Sequence, residues 1–125
     1  MSGAMAGLVD LGRVLIDGTL YTVRSARVRA TAAGNTQIVA AVADRSIRPI
    51  AWAIGPVSAA TEVTLQDTAG TPVILVGPFP YAENGGDRNS VYKESDQQGT
   101  SGLAVNVNLS VASNVTVHVW YVEVA

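Results

Sequence analysis

With 125 residues, no cysteine and one histidine, the chain has enough length for one domain with its own core and excludes a disulfide framework or thiolate chemistry. Apolar residues make up 48% and charged residues 14%, against about 25% charged in an ordinary soluble domain, so much of the surface is expected to be covered by other protein. The net charge of −2 divides unevenly: residues 1–50 carry six arginines against three aspartates (+3), and residues 51–125 carry two bases against seven acids (−5).

Residues 1–12 are rich in small side chains and lack a basic region ahead of an apolar run. They read as an extended N-terminal arm rather than a signal peptide, and residues 13–125 as a single domain. Apolar stretches at 14–16 and 19–23 flank Asp17-Gly18, a hairpin signal because the turn needs positive φ. The strand is expected to continue through 24–32, with Arg27 and Arg29 on one face and Val28 and Ala30 on the other. Two readings of the arginines stay open. They are the solvated face of an edge strand, where charge blocks unwanted pairing, which is the simpler reading, or they are a docking pair.

After a turn at 33–35, residues 36–43 place apolar side chains on both parities: Ile38, Ala40 and Val42 against Val39, Ala41 and Ala43. Such a strand is expected to be covered on both faces or pressed against another subunit. Asp44-Arg45-Ser46 supplies a turn, and 47–54 then alternates, with Ile50, Trp52 and Ile54 on one face and Ala51 and Ala53 on the other. Pro49 has no N–H to give a ladder, which predicts an edge position or a bulge.

Gly55-Pro56 ends that strand; 62–66 alternates cleanly, Ala69-Gly70 turns the chain, and 73–76 reads as a short, fully buried strand. Residues 77–102 are irregular, with room for a short strand at 90–93, and Phe79, Tyr81 and Tyr92 serve as packing lids. Glu83, Asn84, Asp87 and Asn89 offer oxygens, but their spacing fits no EF-hand, and a solvated loop is preferred. Residues 103–109 alternate, Ser113-Asn114 turns, and 115–124 closes the chain with Val115, Val117, Val119 and Tyr121 on one face. The other face, Thr116, His118, Trp120, Val122 and Val124, turns apolar towards its end, which suggests a neighbouring element or subunit. His118 has no recognisable catalytic partner and reads as a spacer.

Eight to ten short strands without helical periodicity predict an all-β, jelly-roll β-sandwich of about eight antiparallel strands. An immunoglobulin-like sandwich is the runner-up and lacks its Cys…Trp…Cys pattern. An enzyme is not expected, for want of a carboxylate pair or nucleophile–base set. Nucleic acid is disfavoured by the missing lysine cluster and stacking platform, and a membrane span by the lack of ~20 continuous apolar residues.

The segments IVAAVADRSIRPIAWAI, VTL, LAVNVNLS, SNV and VHVWYVEV, spread over 34–125, together resemble the small jelly-roll decoration, or cement, proteins of tailed bacteriophages. The resemblance implies a non-enzymatic virion protein without cofactor or metal. Such a protein is assembled in the host cytoplasm and sits as an oligomer on the outer capsid surface, where it reinforces joints between major capsid protein subunits. A homotrimer is favoured over a dimer. Arg13, Arg24, Arg27 and Arg29 are the expected capsid-docking residues, and Val39, Ala41, Ala43, Ala51, Ala53 and Trp120 the expected oligomer interface. The alternative is a receptor- or carbohydrate-binding jelly-roll module of a tail or head fibre, with Trp52, Tyr81, Tyr92 or Trp120 as its platform.

Overall fold

Period-two apolar patterns broken by frequent turn residues produce antiparallel strands throughout. The computed structural model describes residues 12–16, 18–89 and 98–125, with 87–89 described by backbone alone. The strands are β1 (Arg13–Ile16), β2 (Thr19–Thr22), β3 (Arg24–Ala30), β4 (Gly34–Val39) and β5 (Ser46–Ile54). β6 (Thr61–Asp67), β7 (Ile74–Tyr81), β8 (Asp87–Asn89), β9 (Val105–Leu109) and β10 (Val115–Val124) complete them. No helix occurs among the described residues.

Two four-stranded sheets, ordered β3-β10-β5-β8 and β4-β9-β6-β7, form a sandwich, and β1-β2 is a separate hairpin. The pairing nests: β6 with β7, β5 with β8, β4 with β9 and β3 with β10, all antiparallel. From β3 to β10 the chain is therefore one long hairpin, folded so that successive pairs fall in alternate sheets. The pairs β10–β5 and β9–β6 then join these ribbons side by side.

The inner faces meet in one core. Ala30, Ile47, Ile54, Val115, Val117 and Val119 come from the first sheet, and Val39, Val63, Leu65, Val76, Val107 and Leu109 from the second. Trp52, Phe79 and Tyr81 pack against it as half-buried side chains, with Trp52 and Phe79 stacked at 6.3 Å between centroids. Phe79 and Tyr81 thus act as the expected lids, while Tyr92 and the expected strand at 90–93 lie outside the described residues.

Bulges explain where the alternation expected from sequence breaks down. Gln37 and Val39 stand opposite the consecutive residues Asn106 and Val105, leaving Ile38 extra, so Ile38 and Val39 are both buried. The strand expected over 36–43 ends at Val39, and 40–43 is a loop whose turn is closed by Arg45 N–H donating to Val42 O at 3.1 Å. In β5, Ala51 faces Trp120 and Pro49 faces Tyr121, leaving Ile50 extra. Ile50 therefore leaves the face of Trp52 and Ile54 and joins Ile16 and Val122 in a second small core. Pro49 sits beside this bulge in an inner strand, beyond the stretch that β8 pairs. β7 carries two further irregularities. They bury Leu75 and Val76 together and leave Ile74 46% exposed, against the fully buried strand expected there.

The β1-β2 hairpin forms where the sequence predicts one, with Ile16 opposite Thr19 and Gly18 at φ 81. An isolated hairpin is marginal in water. This one is held by Ile16, Ile50 and Val122, each contributing about 1.5–3 kcal/mol on burial, with Val14, Tyr21, Trp120 and Val124 packed around them. It is the neighbouring element that covers the apolar end of β10.

Candidate functional site

The outer face of the first sheet gathers most of the residues singled out from sequence. Cross-strand register places Arg29 beside Thr116, Arg27 beside His118, and Ala53 on the other flank of His118. Among the described residues β3 is the terminal strand of its sheet. Alternation sends Arg27 and Arg29 outward to solvent while Val28 and Ala30 turn to the core side. His118 stacks on Trp120 at 4.1 Å between centroids and 25° between planes. Burial lowers the His118 pKa from its ordinary 6.5, and repulsion from the Arg27 guanidinium lowers it further, so the imidazole is neutral at neutral pH.

Two adjoining hollows open here. One, of about 330 Å³, is lined by Arg29, Ser58, Asn84, Asn114 and Thr116 with the backbone bend after β5. The other, of about 310 Å³, is lined by Arg27, Val28, Arg29 and Thr116. Among the described residues no carboxylate lines either one. The wall of the first is fixed by hydroxyl clasps. Asn114 N–H donates to Ser58 Oγ at 2.8 Å, and buried Ser113 accepts from Ala59 N–H and donates to Ala59 O, both at 3.0 Å. Gly86 is needed for this bend, since a Cβ there would meet Ile54 O at 2.6 Å.

The four arginines do not form one patch. Arg27 and Arg29 are adjacent and have no ion pair among the described residues. Arg24 instead reaches Glu123 at 3.4 Å. That pair frames Tyr121, whose pKa is raised by burial and by Glu123, with Arg24 opposing. Arg13 stands exposed on the hairpin across from Thr22.

Of the expected interface residues, Val39 and Ala51 are only 3% and 2% exposed, Val39 within the chain's own core, and so cannot be offered to a second copy. Ala41 and Ala43 are exposed on the loop after β4, and Ala53 and Trp120 are half-buried on the outer sheet face. Among the described residues the aromatic platform is not assembled either. Trp52 and Tyr81 pack towards the main core and Trp120 against the hairpin core on the opposite side of the sheet. Glu83 and Asn84 lie exposed in a turn, and no cluster of three potential metal ligands occurs among the described residues.

Three features escaped sequence reasoning. Leu15 and Leu20 face each other across the hairpin and are 63% and 53% exposed. Asn35, on the outer face of the second sheet, accepts from Asn108 at 2.9 Å and Gln66 at 3.2 Å, beside the Gln37–Asn106 pair. Asp67 clasps two loops, and Asp ahead of Ala69-Gly70 is the one available signal for it.

A scan against protein-family models finds no match, and searches of curated proteins and of solved structures find none either.

Proposed function

We propose that the sandwich is a jelly roll and that the chain is a non-enzymatic structural protein of a tailed-phage virion. It binds the outside of the assembled capsid as an oligomer, a trimer in preference to a dimer, and reinforces joints between major capsid protein subunits. The nested pairing of β3–β10, β4–β9, β5–β8 and β6–β7 supports the fold reading, because an eight-stranded jelly roll is two Greek keys in two sheets. Fold alone does not assign function; the phage reading comes from the resemblance of the strand and turn sequences over 34–125. The observation that carries the docking role is the terminal strand β3, with exposed Arg27 and Arg29 beside hollows that no carboxylate lines among the described residues. Self-association draws on the low charge of the chain and on the exposed Leu15–Leu20 pair.

A second reading, glycan binding by a fibre module, is favoured by one observation. The amide row of Asn35, Gln37, Asn106, Asn108 and Gln66 offers matched donors and acceptors on an outer sheet face. Sedimentation with undecorated parent capsids, run beside a glycan array, separates the two. The decoration reading expects co-sedimentation that saturates and no retained glycan. A retained glycan with no co-sedimentation would replace it with the fibre-module reading.

A further inference from the structure

The sheet order leaves one edge of β3 without a strand partner among the described residues. An edge of this kind presents unpaired N–H and C=O groups that an incoming extended segment can complete. Proteins commonly blunt such edges with charge, and on that account alone Arg27 and Arg29 would be guards. The surroundings differ from a merely guarded edge. Both hollows touch Arg29 and Thr116, one also touches Arg27, and the other has polar walls from Ser58, Asn84 and Asn114, with no acidic side chain among the described residues that line them. Neither Arg27 nor Arg29 is neutralised by an ion pair among the described residues, whereas Arg24 on the same strand is. Positive charge is thus concentrated over 27–29 beside open space and an unused edge.

We infer that β3 is a receiving edge for an extended acidic segment of a partner protein, whose carboxylates at alternate positions seat on Arg27 and Arg29. The spacing supplies the selectivity. Residues two apart on a strand lie about 7 Å apart on one face, so a segment with acids at i and i+2 meets both guanidiniums while its backbone pairs with β3. Adjacent acids would point to opposite faces, and only one would find an arginine. Opposite charges placed directly across an antiparallel pair attract, and Arg suits a carboxylate because its fork can bond both oxygens. The inference rests on the docking reading above and gives it a recognition chemistry.

The test is an NMR titration of the full chain with two capped threonine hexapeptides that each carry two glutamates, an alternating peptide with the glutamates two positions apart and a contiguous one with them adjacent. The alternating peptide is expected to shift the backbone amides of residues 26–30 and to bind about two- to fivefold more tightly than the contiguous one, the loss expected when one of two charge pairs cannot form. Added salt should weaken it, because exposed charges are screened over about 8 Å at physiological ionic strength. Arg27→Gln with Arg29→Gln should abolish the difference between the peptides, while Arg45→Gln, on the turn before β5, should leave it intact. Both side chains at 27 and 29 are directed outward, so the double variant keeps its fold, which its unperturbed core amide spectrum verifies. Equal binding of the two peptides, absence of binding, or shifts that spare the backbone of 26–30 would overturn the proposal. Capsid sedimentation separates its failure from that of the decoration reading. Capsids that bind the chain while the alternating peptide does not leave decoration standing and remove the receiving edge. Peptide binding with no capsid binding does the reverse.

Discussion

At the scale of single residues, Asp67 shows how one side chain can govern two loops. It is 1% exposed. Its Oδ1 accepts from Ala69 N–H at 3.1 Å and Val73 N–H at 2.9 Å, and its Oδ2 from Thr100 N–H at 2.8 Å and Thr100 Oγ1 at 2.7 Å. Burial alone would raise the carboxyl pKa, but the bonds from Thr100, Val73 and Ala69 outweigh it and hold the pKa below 3.8. A carboxylate depressed on folding stabilises above its unfolded value and loses that contribution as pH falls through the folded one. Urea titrations from about pH 7 to pH 3 should therefore show stability falling below the ordinary carboxylate range. Asp67→Asn should flatten that fall, and Asp67→Ala should cost about 3 kcal/mol at neutral pH by leaving buried donors unpaired.

Trp52 is set by its neighbours in the same way. Stacked on Phe79 and packed on the core, it should cost about 3 kcal/mol when cut to alanine, the low end for an aromatic because it is half-buried. Its Nε1–H is buried without an acceptor among the described residues, so Trp52→Phe should retain most of the stability. A loss under about 1 kcal/mol for the alanine variant would place the ring on the surface. His118 gives a third readout. Its titration followed by NMR should lie below 6.5 and move up in Arg27→Gln, since the guanidinium contributes to the depression.

Among the elements, strands with clean alternation were legible and strands with bulges were not. β9 and β10 follow period two and β6 does so except for the buried Thr64, and most of their buried apolar positions could be read directly: Val105, Val107 and Leu109; Val63 and Leu65; Val115, Val117 and Val119. The Asp17-Gly18 hairpin was equally plain. At Ile38 and Ile50 one extra residue switches the face of the residues beyond it, and a period-two rule has no means of locating such a switch. Pro49 alone announced one, because a residue without an N–H fits a bulge. Gly77 marks another: at φ 88, a Cβ there would meet Val63 O at 2.6 Å. Arg27 and Arg29 were legible as an outward pair because β3 alternates. Their separation from Arg24 was not, because Glu123 is brought there only by the β3–β10 pairing.

The hairpin also carries the prediction that belongs to this scale. Leu15 and Leu20 form an outward cross-strand pair, so their replacement removes apolar surface that the sandwich core does not use. Leu15→Lys with Leu20→Lys should leave the thermal midpoint nearly unchanged and shift the chain from oligomer to monomer in light scattering at micromolar concentration. An unchanged oligomer would move the self-contact elsewhere, with the exposed Ala41 and Ala43 loop as the next surface to alter.

Over the whole molecule, the two outer faces differ in chemistry. The first sheet presents Arg27, Arg29, His118 and the hairpin, and the second presents uncharged amides from Asn35, Gln37, Asn106, Asn108 and Gln66. On the decoration reading proposed above, such asymmetry orients the protein on an acidic lattice, and many weak contacts on one shell then act together. Imaging of undecorated parent capsids with and without the full chain tests this most directly. The account predicts added density at fixed positions on the outer shell, with the β3 edge turned towards the capsid. Capsids that look the same with and without the chain at saturating concentration would contradict it.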